Sequence, residues 1–134
     1  MNEQNPAVVA AMWFEALGRG DIPAAMDLLD EGIVWHQPGA NRFSGEHVGP
    51  GAVAALVGGM MEVSQGTFRL AVTGPAMVNG PLVAVPVRFS GERPDHAMDM
   101  AGIDLLTVEQ GRIVAIHLFS EDEAVEDAFW GSVG

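Results

Sequence analysis

The chain of 134 residues contains no cysteine and no tyrosine, and all six of its basic residues are arginine, so lysine is absent too. Without cysteine there is no disulfide framework, no thiolate nucleophile and no thiolate metal ligand, which suits a reducing compartment. Without lysine no side chain can form a Schiff base with a carbonyl substrate. Acid and base chemistry is left to histidine, aspartate and glutamate. Positive charge is scarce: 18 acids against six arginines give a net charge of -12. Self-repulsion on that scale argues against nucleic acid or an anionic membrane as partner, whereas a neutral or cationic small ligand is readily accommodated.

Long apolar runs are missing as well. The longest nearly uncharged stretch, 48–61, holds four glycines and a proline, well short of the roughly 20 apolar residues a membrane span needs. The N-terminal MNEQNPAVV has no basic segment leading into an apolar core, so it does not read as a signal peptide and a cytoplasmic protein is expected. Phosphate-cradling glycine motifs are absent, and no HxH or HxxxH pair offers ligand spacing. Neither a nucleotide cofactor nor a metal is therefore expected.

What is present is apolar content of 49%, enough for one core-forming domain over 1–134. Residues 6–18 carry Val9, Met12, Trp13, Ala16 and Leu17 at helical spacing, opened by Pro6 and closed at Gly18 or Gly20. Asp21 reads as the N-cap of a second short helix over IPAAMDLLD. Ile33–Gln37 is β-branched and aromatic and stops at Pro38-Gly39, so a strand is expected, with Val34 and His36 on one face. The segment NRFSGEHVGP reads as a loop, and GAVAALVGGMMEV as a third helix weakened by its paired glycines.

From Thr67 onward the runs alternate in the manner of strands, with Asn79-Gly80 and Gln110-Gly111 as hairpin turns and Pro86 marking an edge or a bulge. The acidic SEDEAVEDAFWG reads as a solvated helix face. Helices segregated from a run of strands give an α+β class.

The pieces LGRGD, LLDEG before VWHQPG, FSGEHVGPGAV and LLTVEQGRIVAIHLFSED followed by DAFWG make the chain resemble the SnoaL-like and ketosteroid-isomerase-like branch of the NTF2-like superfamily. The resemblance implies a cone: a curved, mostly antiparallel sheet wrapped by about three helices around an apolar pocket, often in a homodimer. Ketosteroid isomerases place a base on the first strand just before the turn, and His36 falls there. Their protonated oxyanion acid falls on Asp104, and their tyrosine donor on Trp13, whose indole N–H can donate but cannot act as an acid. The aspartate of SnoaL-type cyclases and of limonene-epoxide hydrolases falls on Leu118, which departs from both patterns.

Alternation along 98–108 puts Met98, Met100, Gly102, Asp104, Leu106 and Val108 on one face. Asp104 thus becomes a carboxyl among apolar neighbours, with burial expected to raise its pKa. Asp99 points the other way, and His117 lies on the face opposite Leu118. Trp13, His47, Met98, Met100, Leu106, Ile116 and Leu118 are the expected substrate contacts, and His36 and Asp104 the expected catalytic pair. The function these imply is cofactor-independent isomerisation or cyclisation of an apolar polyketide-like or terpenoid-like molecule. Epoxide opening and non-catalytic ligand or partner binding are the alternatives.

Overall fold

A computed structural model describes residues 5–132. The elements are α1 (Pro6–Gly18), α2 (Ile22–Met26), β1 (Leu29–Gln37), β2 (Gly45–Val48), α3 (Pro50–Val63), β3 (Arg69–Val72), β4 (Met77–Asn79), β5 (Leu82–Arg93), β6 (His96–Glu109), β7 (Arg112–Ser120) and α4 (Glu123–Trp130). The strands form one curved mixed sheet in the order β2-β1-β7-β6-β5-β3, with β4 also on β5. Only β1 and β7 run parallel among these pairs. This is the α+β architecture expected from the sequence.

Local chemistry explains the element ends. Asn5 and Asp21 cap α1 and α2 by accepting from Ala7 N and Ala24 N, which satisfies amides that have no partner inside the helix. The second helix is shorter than expected, because Leu29 and its successors are drawn into β1, where Leu29 pairs with Ile113. The supposed loop at 45–48 is an edge strand, with His47 opposite Trp35. Gln110 and Gly111 both take positive φ and close the β6–β7 hairpin.

Pro86 sits inside β5 rather than on an edge strand or at a bulge. Its carbonyl accepts from Thr73 N just past the end of β3, while β4 covers Leu82 to Ala84 and β3 covers Val87 to Ser90. The absent N–H therefore faces the gap between two short flanking strands, where no ladder bond is lost.

One face of the sheet is packed. Along β6, Met98, Met100, Gly102, Asp104, Leu106 and Val108 are buried and their neighbours largely are not, as alternation requires. On β1 the buried set is Leu29, Ile33, Trp35 and Gln37. These faces meet Val9, Trp13 and Ala16 of α1, Val53, Leu56 and Met60 of α3, and Phe129 and Trp130 of α4. No helix among the described residues is long and apolar enough to cross a membrane.

Candidate functional site

Between the packed face and the helices lies a cavity of about 660 Å³. Its walls are apolar, from Phe14 and Leu17 on α1, Val57 and Met60 on α3, and Phe68, Leu70 and Phe89 from the β3–β5 side. Its exposed rim includes Arg19, Gly20, Met61, Arg69 and Val72. At its buried end stand Trp35, Gln37, Asp104, Ser120, Glu126 and Trp130.

That end is built by docking α4 onto the end of β1. The turn after β1 is pinned to Asp127, whose Oδ1 accepts from Ala40 N at 2.9 Å and from Asn41 Nδ2 at 2.8 Å. Gly39 is required there: its φ is +85°, and a Cβ would sit 2.3 Å from Asp127 Oδ1. Arg42 N donates to Gly131 O at 2.8 Å. Trp130 is then held edge-on by Phe43 and Phe129, with ring centroids 5.2 and 4.9 Å away.

Glu126, one turn before Trp130, is thereby turned inward and is 5% exposed. Its Oε2 accepts from Trp130 Nε1 at 3.0 Å and Gln37 Nε2 at 3.3 Å. Its Oε1 accepts from Ser120 Oγ in a short bond. Gln37 is fixed in turn, because its Oε1 accepts from Trp35 Nε1 at 2.9 Å.

Asp104 is 8% exposed, and among the described residues its carboxyl has no hydrogen-bond donor and no cationic partner. Burial, and after it the charge of Glu126, pushes its pKa from 3.8 up to about 7. Glu126 is also raised by burial, although the bonds from Ser120 and Trp130 oppose this and Asp127 and Glu123 add to it. The donors thus differentiate the two acids. Glu126 has three groups that favour its charged form, and Asp104 has none, so Asp104 is the one poised to exchange a proton near neutrality.

The expected meeting of His36 with Asp104 does not occur. His36 lies on the opposite face of β1 from Trp35 and Gln37, away from the cavity. There it stacks on His117, with centroids 3.9 Å apart and planes 8° from parallel, and its Nδ1 is 3.5 Å from Glu46 Oε2. His117 is on the outward face as expected, and its pKa is lowered by burial and by His36, with Glu46 opposing. The physical reason is register: a strand's faces differ by one residue, and the helices cover the Trp35 face.

Of the expected substrate contacts, Leu118 lines the cavity, side by side with Asp104 across β6 and β7. Trp13 does not; it is buried in the core against Trp35, with ring centroids 6.3 Å apart, and the turn of α1 presents Phe14 and Leu17 to the cavity instead. His47 is on edge strand β2, where its Nε2 sits 2.7 Å from Phe43 O. Met100, Leu106 and Ile116 are core residues outside the lining, and Met98 borders a separate surface hollow near Thr67 and Ser90.

Gln37, Ser120 and Glu126 were not among the residues the sequence singled out. The signal for Glu126 was its spacing to Phe129 and Trp130, three and four residues on, which puts all three on one helical face. The acidic run therefore does not form a wholly solvated face.

A family profile described as the SnoaL-like domain matches residues 10–116. The chain belongs to the SnoaL-like family. Gln37 and Asp104 of this SnoaL-like protein fall within the matched segment, whereas Ser120 and Glu126 lie beyond it. No curated protein matches the sequence. A protein of unknown function with a cystatin-like fold from Xanthomonas campestris is 40% identical over 95% of this chain and 98% of its own, with a TM-score of 0.90. Bal32a, from a soil-derived mobile gene cassette, is 24% identical over 97% and 99%, with a TM-score of 0.89. TerC, co-crystallised with polyporic acid, is 14% identical over 93% and 98%, with a TM-score of 0.80. The last two show a shared fold.

Proposed function

We propose that this SnoaL-like protein is a cofactor-independent acid/base enzyme that moves a proton on a largely apolar small molecule, as an isomerase or cyclase. The observation that carries this reading is the buried, donorless carboxyl of Asp104 facing an apolar cavity, with a pKa of about 7. A group titrating near ambient pH is ionised often enough to remove a proton and protonated often enough to return it. In this scheme ionised Asp104 takes a proton from a carbon next to a carbonyl and delivers it to another atom of the same molecule. Burial first, and the neighbouring carboxyl of Glu126, held by Ser120, Trp130 and Gln37, second, keep Asp104 from ionising at lower pH. TerC, a fold relative co-crystallised with polyporic acid, lends support to a small-molecule ligand.

The test is deuterium incorporation from heavy water into a panel of apolar ketones and enones, followed by NMR. Asp104→Asn is expected to slow exchange by about 100-fold or more, and unchanged exchange in that variant would refute the assignment. Epoxide opening is the second reading, favoured by two carboxyl groups at one end of the cavity. Incorporation of labelled oxygen from water into an epoxide probe would select it over isomerisation.

A further inference from the structure

We infer that the cavity takes an apolar molecule carrying a protonated nitrogen, seated with its ammonium group against Asp104 and Glu126 and its hydrocarbon body along the aromatic walls. The inference deepens the function proposed above and rests on the reading that this cavity is the ligand site.

Two carboxyl groups more than nine-tenths buried share one end of the cavity, and among the described residues no positive side chain pairs with either. Every arginine is engaged elsewhere. Arg19 holds Glu15 and Asp21, and Arg88 holds Asp99. Arg42, Arg69, Arg93 and Arg112 donate to backbone carbonyls of Ser132, of Gly66 and Phe68, of Phe129, and of Asp27 and Leu29. His36 and His117 face the other side of the sheet, and neither His47 nor His96 lines the cavity. A buried carboxylate without a counter-charge is costly, and a cation delivered by the ligand recovers that cost.

The surroundings select the kind of cation. The Glu126 oxygens already receive three hydrogens, from Ser120, Trp130 and Gln37, a crowding of positive donor ends that disfavours a bare metal ion needing several free oxygens. Among the described residues no cluster of three metal-ligating side chains exists. An ammonium group needs one or two acceptors, which Asp104 supplies with both oxygens unclaimed. The rings of Phe14, Phe68, Phe89, Trp35 and Trp130 along the lining favour a cation on an organic body, through their π faces and their area. The net charge of -12 draws cations toward the protein as a whole and repels carboxylate ligands.

The test is calorimetric titration near neutral pH with three probes of one skeleton: phenylpropylamine, phenylpropanol and phenylpropionate. The amine is expected to bind about tenfold more tightly than the alcohol or better, and the acid more weakly than either. In Asp104→Asn, whose folding is checked by thermal melting, the amine should lose its advantage while the alcohol keeps its affinity. Amine affinity should also fall as pH drops below about 7, with the alcohol unaffected. Asp104 pairs with Val85 on β5 and Leu118 on β7 and shares its end of the cavity with Ser120, Gln37 and Glu126, so among the described residues Glu126 is the only other titrating group at that end. Equal or tighter binding of the alcohol, tighter binding of the acid, an amine preference that survives Asp104→Asn, or no binding by any probe would overturn the inference. The exchange assay is read on neutral ketones, so its outcome is separate from these results.

Discussion

Asp104→Asn should abolish the pH dependence that this residue imposes on stability. The unfolded chain ionises Asp104 near 3.8 and the folded chain near 7. Between those values the folded state holds a proton that the unfolded state has released. Stability therefore falls as pH rises through that window, is fully present below about 4 and is flat above about 7. Roughly three pH units at about 1.4 kcal/mol each amount to ~4 kcal/mol, of which about 2.5 kcal/mol falls between pH 5 and pH 8. Asparagine keeps the shape and removes the charge. Its own cost as a buried amide without a partner, ~1–3 kcal/mol, applies at both pH values and cancels from the comparison. Urea unfolding, followed through the buried Trp13, Trp35 and Trp130, gives the free energy of each chain at each pH. Relative to wild type, the variant should gain about 2.5 kcal/mol on going from pH 5 to pH 8. Parallel pH curves for the two chains would refute the claim that burial holds Asp104 protonated.

Three other outcomes follow from the same geometry. Glu126→Leu strands the Ser120, Trp130 and Gln37 donors and should lower stability by about 2–4 kcal/mol, read as a drop in the urea midpoint. Gly58→Ala, at an exposed position of α3 with nothing within 4 Å of the added Cβ, should stabilise by about 0.5–1 kcal/mol; Gly102→Ala meets Phe119 O at 2.7 Å and a Phe89 ring carbon at 2.8 Å and should cost about 1–3 kcal/mol, so equal melting shifts would contradict the packing. His36→Ala, on the face away from the cavity, should leave deuterium exchange within about twofold of wild type, whereas a loss on the ~100-fold scale of general base catalysis would return the residue to the reaction.

The legibility of the site differed from strand to strand. On β6 the alternation was sharp, with Asp99, Ala101 and Ile103 between methionines, glycine and leucine, so the inward face and the buried position of Asp104 could be read directly. On β1 both sets were plausible. Val34 and His36 share one face, and Ile33, Trp35 and Gln37 the other. An apolar residue stands on each, so alternation alone could not say which one the helices cover. The family resemblance pointed to His36, and the structure chose Gln37, one residue away.

For α4 the difficulty was charge. Five acids within SEDEAVEDAFWG suggest a solvated face, but Asp127 anchors the turn after β1 and so rotates Glu126 into the cavity. That anchor joins residues 86 and 87 positions apart and leaves no local trace.

By itself, then, the sequence determined most of the element types, the α+β class, the SnoaL-like family and one acid of the site, because periodicity, caps and turn residues act over a few positions. Tertiary structure decided which face of β1 is inside, that His36 and Asp104 are kept apart, and that Glu126 is drawn in from an acidic helix to stand beside Asp104. Those outcomes depend on which surfaces meet across the fold, and the desolvation that sets the acidity of Asp104 exists only once they have met.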